Sequence, residues 1–426
     1  MHTKRMKKVG QMHFTPYVGN FVAVNVILWI IRAQNWWHFL GFPPMKPEFA
    51  DLRAYTAQVT CAQHGINYLV TNCDPWGRKI GQLEIYVPIL KFLNLNEART
   101  NIVGNTFQVL LFISIYAAAY ALQLDLRKPR NAFLMILILI SPPFALLIER
   151  GQFEIILFVL IILAAFIIHR NRKIFAYLIL GFLSIFKFYP IILLTFLLAS
   201  RRIRNTKLQL FIGFFVFLVA TGTIFYSVWG QIDSMQANSL SAGFWRTFGI
   251  TVLPYLGVKA LNGLHIFNYQ FHIDLIQSHS IGMLIFVVAI LILFYLRSQG
   301  KVFGPNLSAL IEEGSLSSIF LLFSLCMVCI SYFVVSSYDY RMIYMLPLFL
   351  LGLSQDNGER KNRLTIYFAY GIPFVMWCQV FIWTSALAQI PILVSMAMIL
   401  FNVGPLLLSD YVGGNWAKRL GIFRNK

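Results

Sequence analysis

The chain is poor in charge, and poorest in negative charge. Of its 426 residues only 12% are charged, and 16 acidic residues stand against 35 Lys and Arg. Soluble proteins carry about a quarter charged residues. With 58% hydrophobic residues and a mean hydropathy of +0.69, a water-soluble fold would expose enough apolar surface to aggregate. Cysteine is scarce, with five in all, and the eight histidines are scattered, so no metal-ligand cluster stands out. The apolar runs do not alternate with polar residues, which argues against a β-barrel. A clear internal repeat is also lacking. No cleavable leader is evident: "MHTKRMKKVG" is basic, but the apolar segment after it, about 17–31, has no small-residue cleavage motif. It reads as a first span that stays in place.

What the sequence does have is long apolar runs, several near or above the roughly 18 residues that cross a bilayer core. They predict an all-α polytopic membrane protein, with residues 1–426 forming a single integral membrane domain. The net charge of +19 does not call for a nucleic-acid partner. The basic residues lie mainly in short loops between spans, as the positive-inside rule predicts.

Basic clusters occur at Lys4 to Lys8, Arg127 to Arg130, Arg170 to Lys173, Arg201 to Lys207, Arg297 to Lys301, Arg360 to Arg363 and Lys418 to Lys426. If all are cytoplasmic, an even number of crossings separates each neighbouring pair, and both termini are cytoplasmic. Spans near 17–33 and 101–123 then enclose a long external loop, 34–100. Spans near 131–148 and 152–168 form a hairpin with "ERGQFE" at its tip. Spans near 208–228 and 281–297 enclose a second loop, 229–280. Spans near 315–336, 342–354, 364–383 and 387–408 complete a set of about 12 membrane helices.

The stretch 174–200 breaks the pattern. It is too short for two full spans, which need about 40 residues, and a single helix would put its flanking basic clusters on opposite sides. A pair of half-length helices turning at "KFYP" resolves this, with Pro190 at the start of the returning arm. The alternative is one tilted helix with a snorkelling Lys187. A broken pair is tolerated at membrane depth only where it is buried in protein or lines a cavity, so Lys187 is expected to face a cavity.

The first external loop holds most of the non-membrane chemistry: Glu48, Asp51, Arg53, His64, Asp74, Arg78, Lys79 and Glu84 among tryptophans and tyrosines. The second carries Asp233, Trp245, Arg246, His272 and Asp274. Aromatics mixed with carboxylates suit a carbohydrate surface, although an interfacial aromatic belt accounts for some of the tryptophans. Cys61 and Cys73 share the first loop, where an oxidising exterior would permit a bridge that spacing alone does not establish. Cys326 and Cys329 lie in an apolar span and read as small hydrophobes. Three cations stand at the external ends of spans: Arg150, Lys187 and Arg341. A lipid phosphate would satisfy all three, and local pairing with Glu149 or Asp339 is the simpler account of two.

The stretch "ERGQFEIILFVLIILAAFIIHRNRKIFAYLILGFLSIFKFYPIILLTFLLASRR" closely resembles the signature region of glycosyltransferase family 87, membrane enzymes of the C-type fold. The matching positions are Arg150, Gly151, Gln152, Gly181, Lys187, Tyr189 and Pro190. "FADLR", "CDPWGR" and "YDYRMIYMLPL" resemble a bacterial branch of that family. The resemblance implies a polyprenyl-phosphate-linked hexose as donor, typically mannose. It implies transfer to a glycan or glycolipid acceptor on the non-cytoplasmic face of the bacterial plasma membrane. It also implies an essential acidic residue in the first external loop. Asp51 matches that residue best by position, with Asp74 as its rival. The "YDYR" and Cys-Asp-Pro motifs are not general to the family.

On this expectation, Asp51 or Asp74 is catalytic. Arg150, Lys187 and Arg341 take the donor phosphate. Arg78, Gln152, Tyr189, Tyr338 and Asp339 contact sugar or acceptor. The mechanism requires no cofactor, though a carboxylate pair could hold Mg²⁺ or Mn²⁺. Two other classes share parts of the pattern: a polymerase or ligase of surface polysaccharide, and a lipid-linked sugar flippase or transporter.

Overall fold

The computed structural model describes residues 14–68, 71, 73–78, 86–199, 206–229, 247–248, 254, 258, 275–298, 315–333, 337–355 and 366–380. Lys79, Glu84, Asp233, Trp245, Arg246, His272, Asp274 and the expected span 387–408 lie outside them.

The described chain is helical, apart from one antiparallel pairing of β1 (Thr247–Phe248) with β2 (Ser337–Tyr338). In chain order the helices are α1 (Thr15–Ala33), α2 (Ala50–Gln63), α3 (Tyr86–Phe92), α4 (Thr100–Ala121), α5 (Pro129–Leu139), α6 (Pro142–Arg150), α7 (Glu154–His169), α8 (Lys173–Phe186), α9 (Ile191–Ala199), α10 (Lys207–Trp229), α11 (Leu275–Ser298), α12 (Leu316–Phe333), α13 (Leu346–Gln355) and α14 (Ile372–Trp377). Short 3-10 segments include Trp36–Leu40 and Asp339–Met345.

Among the described residues, Thr15–Ala33, Glu97–Ala121 and Lys207–Tyr226 are long and apolar enough to cross a membrane. Their outward faces carry large apolar side chains such as Trp29, Ile102 and Phe211. This is the arrangement lipid solvates, and it marks a membrane protein. The described residues do not establish the expected number of spans.

Two spans differ from expectation. The stretch 131–148 is not one helix: α5 and α6 meet at a 50° bend. Ser141 leaves helical geometry (ψ 154°), and Pro142 and Pro143 can only open a new helix there. The stretch 342–354 begins as the 3-10 segment Asp339–Met345, which leaves α13 with ten residues.

The 174–200 stretch is divided at residues 187–190. Lys187 has extended geometry (φ −138°, ψ 123°) at the end of α8. A Cβ on Gly213 of α10 would lie 2.8 Å from Leu198 of α9 and 3.1 Å from Tyr177 of α8. An unbroken helix would hold those two residues about 30 Å apart. The far ends of α8 and α9 therefore meet on the same turn of α10.

One apolar core joins α1 and α4 to α7, α8, α9, α12 and α13. A smaller core above it joins α2 and α3 to Phe153 and Phe186. Tyr86 packs 5.2 Å from Phe186, and its hydroxyl donates to the Phe186 carbonyl. This seats α3, and through the smaller core α2, on the end of α8.

Candidate functional site

Asp51 lies in the first turn of α2. The helix is held from below by α4. The Thr56 and Thr100 hydroxyls are 2.6 Å apart, and Arg53 donates to Asn101 at 3.0 Å. From the side, Tyr55 packs 4.6 Å from Phe153. Arg53 of "FADLR" is thus an anchor of α2.

Gly151 allows α6 to reach α2. It takes φ +62°, closes α6, and would place a Cβ 3.0 Å from that of Phe49 and 3.1 Å from that of Leu52. An L-side chain there would be strained and crowded. The turn at Gly151 delivers the buried Gln152, whose side-chain amide donates to Asp51 Oδ2.

The other Asp51 oxygen accepts from Arg78 Nη1 at 2.6 Å. Arg78 is itself held by Asp74. Its Nε and Nη2 donate to the two Asp74 oxygens at 2.9 and 3.0 Å. Asp74 Oδ2 also accepts from the backbone N–H groups of Arg78 (2.9 Å) and Trp76 (3.3 Å). The guanidinium lies over the Trp76 ring at 4.9 Å, and Nη2 also reaches the Ala50 carbonyl at 2.7 Å. "CDPWGR" is therefore a turn wound around Asp74 that presents Arg78 to Asp51. A disulfide between Cys61 and Cys73 ties that turn to the end of α2.

The two carboxylates differ in access. The Asp74 side chain is 3% exposed and the Asp51 side chain 21%. Burial raises the pKa of Asp51, against the downward pull of Arg78 and Arg150, and Glu154 adds to the rise. Burial lowers the pKa of Arg78, but Asp74 and Asp51 outweigh it and hold the group above its usual value. Arg78 lies between the two carboxylates and pairs with both. Among the described residues no three of His, Cys, Asp and Glu converge as metal ligands.

A second cluster centres on Glu154, the first residue of α7, which is fully buried. Its Oε1 lies 3.7 Å from Lys187 Nζ, 3.9 Å from Arg341 Nε and 3.4 Å from the Tyr189 hydroxyl. Arg341 lies over the Tyr189 ring at 5.1 Å, and the Tyr189 and Tyr344 hydroxyls are 3.2 Å apart. Two cations thus share one carboxylate. Arg341 Nε and Nη1 are buried without a hydrogen-bond partner among the described residues. Glu154 Oε2 is buried without a partner there as well, so the cluster holds unsatisfied groups of both kinds.

Arg150 belongs with the Asp51 side, 2.9 Å from Glu149 and within electrostatic reach of Asp51. Tyr338 pairs with Thr247 through the backbone, and Asp339 opens the 3-10 segment. The side chains of Tyr338 and Asp339 lie outside the described residues. The structure thus gathers Asp51, Asp74, Arg78 and Gln152 at one centre and Lys187, Tyr189 and Arg341 at a second. Glu154 is the member that reading the sequence missed. The only local signal was a second glutamate in "ERGQFE".

The family model of glycosyltransferase family 87 matches residues 91–324, more than half of the chain. The match contains Arg150, Gln152, Glu154, Lys187 and Tyr189 and begins after Asp51, Asp74 and Arg78. No curated protein and no solved structure matches the chain.

Proposed function

The chain belongs to glycosyltransferase family 87, and on that footing we propose that it transfers a hexose, with mannose the first candidate, from polyprenyl phosphate to a glycan or lipid acceptor. Transfer takes place on the non-cytoplasmic face of a bacterial plasma membrane. The observation that carries the reading is the Glu154 cluster. Lys187 and Arg341 bring two positive charges against one carboxylate, and Arg341 has donors left over. A phosphate would supply the second negative charge and oxygens that Lys187 and Arg341 can reach as donors.

The donor phosphate docks on Lys187 and Arg341, with Arg150 adding positive charge on the side facing Asp51. Asp51 takes the proton of the acceptor hydroxyl, and that oxygen attacks the anomeric carbon. The bond from the anomeric carbon to the phosphate oxygen breaks, and polyprenyl phosphate leaves with the electron pair. A single displacement inverts the anomeric centre. General-base catalysis of this kind contributes roughly 10²–10⁴-fold. Preorganised cations at the leaving phosphate contribute several kcal/mol more, on the order of 3 kcal/mol for each good contact. Asp74 does not react in this account. It holds Arg78, which with Gln152 orients the Asp51 carboxylate. Arg78 serves as the positive charge between the two aspartates.

The test is donor turnover by purified protein in nanodiscs with polyprenyl-phosphate hexoses. Lys187→Ala is expected to lose turnover far more than it lowers expression or melting temperature. Normal transfer by Lys187→Ala would remove the phosphate role.

A further inference from the structure

A cavity of about 440 Å³ lies between α1 and α4, apart from both clusters described above, and the mechanism does not use it. It is the size of a small-molecule pocket. Both helices are membrane-length, and Trp29 and Val109 at its edges are 67% and 49% exposed. In a bilayer those edges face lipid, so an occupant would enter sideways from the membrane.

The lining is unusual for that depth. Asn25 of α1 and Asn105 and Gln108 of α4 bring amides to a surface where apolar side chains would be expected. The carboxylates around the cavity are already paired, Glu48 with Arg32 and Glu149 with Arg150, and Lys46 stands at the lining as well. Among the described residues the Glu154 cluster sets two cations against one carboxylate. What the cavity offers along its membrane-facing side is the amides of Asn25, Asn105 and Gln108, donors and acceptors that suit hydroxyl groups.

Its position links it to the chemistry. Phe49 lines the cavity and stands two residues before Asp51. Its ring fills the space beside Gly104, where a Cβ would lie 2.6 Å away, and its own Cβ packs against Gly151. Glu149 lines the cavity too, accepts from the Met45 N–H at 2.7 Å and pairs with Arg150. A wall of Phe49 and Glu149 therefore separates the cavity from Asp51 and Arg150.

We propose that this cavity receives the lipid-borne acceptor, an uncharged amphiphile with a hydroxyl-rich head, and delivers a head hydroxyl past Phe49 to Asp51. The proposal rests on the transferase reading and deepens it. It gives the two lipid substrates separate entrances, one lined by amides and the other by the Lys187 and Arg341 cations.

The experiment uses the full chain in nanodiscs. They are doped with a monohexosyl diacylglycerol carrying a diazirine at the top of one acyl chain, or with phosphatidylglycerol carrying the same label. Crosslinked residues are mapped by mass spectrometry. The glycolipid is expected to label 25–33 and 105–109 at least fivefold more than the anionic lipid. The pair Asn105→Leu with Gln108→Leu should lower that labelling to background. Should the pair fail to fold, excess unlabelled glycolipid must suppress labelling of the unaltered protein, and excess phosphatidylglycerol must not. Equal labelling by both lipids, or labelling unmoved by substitution or competitor, overturns the proposal. Labelling is read without turnover, so a failed donor reaction and an empty cavity give different results.

Discussion

Gln152 donates its side-chain amide to the Asp51 carboxylate from 101 residues away in sequence. Arg78 holds the other oxygen at 2.6 Å. The carboxylate is thus fixed from two sides while 21% of its side chain stays open. A base that is oriented and still reachable is what proton abstraction requires. Gln152→Glu would set a second negative charge against Asp51 and push its pKa up. Activity at neutral pH should fall, with partial recovery at higher pH. A pH–rate profile that merely drops without moving would contradict this.

The unaltered protein should already show an upward displacement. Burial holds the Asp51 carboxyl above its ordinary value of about 3.9. A base acts when deprotonated, so activity is lost as pH falls through the folded-state pKa. The acid limb of kcat/KM should therefore lie above about pH 4 and disappear with Asp51. Titration of kcat/KM against pH with a saturating acceptor checks it.

Arg78 bridges two carboxylates with a planar fork, which the point charge of a lysine does not reproduce. Hydrogen bonds to charged groups contribute about 1.5–3 kcal/mol. Arg78→Lys should accordingly lower kcat/KM roughly 10- to 100-fold, nearly as far as Arg78→Ala. Lysine activity close to the unaltered level would mean that Arg78 supplies charge alone.

Glu154→Gln leaves Lys187 and Arg341 facing each other without their shared carboxylate. Breaking a buried ionic group is destabilising by about 3–5 kcal/mol. The variant should melt lower and regain part of the loss when polyprenyl phosphate is added. The recovery should exceed the shift that the same ligand gives the unaltered protein. An equal shift in both would separate Glu154 from the phosphate site.

The Cys61–Cys73 bridge holds the turn that carries Asp74 and Arg78. A disulfide typically contributes about 2–4 kcal/mol. Cys61→Ser, or reductant on the unaltered protein, should lower turnover while leaving the α-helical spectrum unchanged. Full activity in reductant would show that the turn holds without it.

Much of the scaffold could be read from the sequence, because apolar length and charge placement act locally. The ends of α1 and α4, and a break at "KFYP", follow from runs of residues and one proline. Cysteines 61 and 73 could be named as partners, but only the seat of the turn on α2 brings them together. The bend between α5 and α6 was also local, in Ser141-Pro142-Pro143, but apolar continuity masked it. Glu154 was hidden for a different reason. Its partners Lys187 and Arg341 come from the end of α8 and from the segment before α13, and no spacing rule joins those places. "CDPWGR" stood out as a motif, but its sequence does not distinguish a reacting aspartate from one that winds a turn. The four hydrogen bonds at Asp74 from the side chain and backbone of Arg78 and from Trp76 make that distinction.

The most direct measurement compares donor turnover in the unaltered protein, Asp51→Asn and Asp74→Asn, with folding checked by thermal melting. Asp51→Asn is expected to abolish sugar transfer with its melting temperature unchanged or raised. Asp74→Asn should lower both activity and melting temperature, since it releases Arg78, and keep measurable turnover. Turnover that survives in Asp51→Asn and vanishes in a fully folded Asp74→Asn would contradict the account and move the base to Asp74.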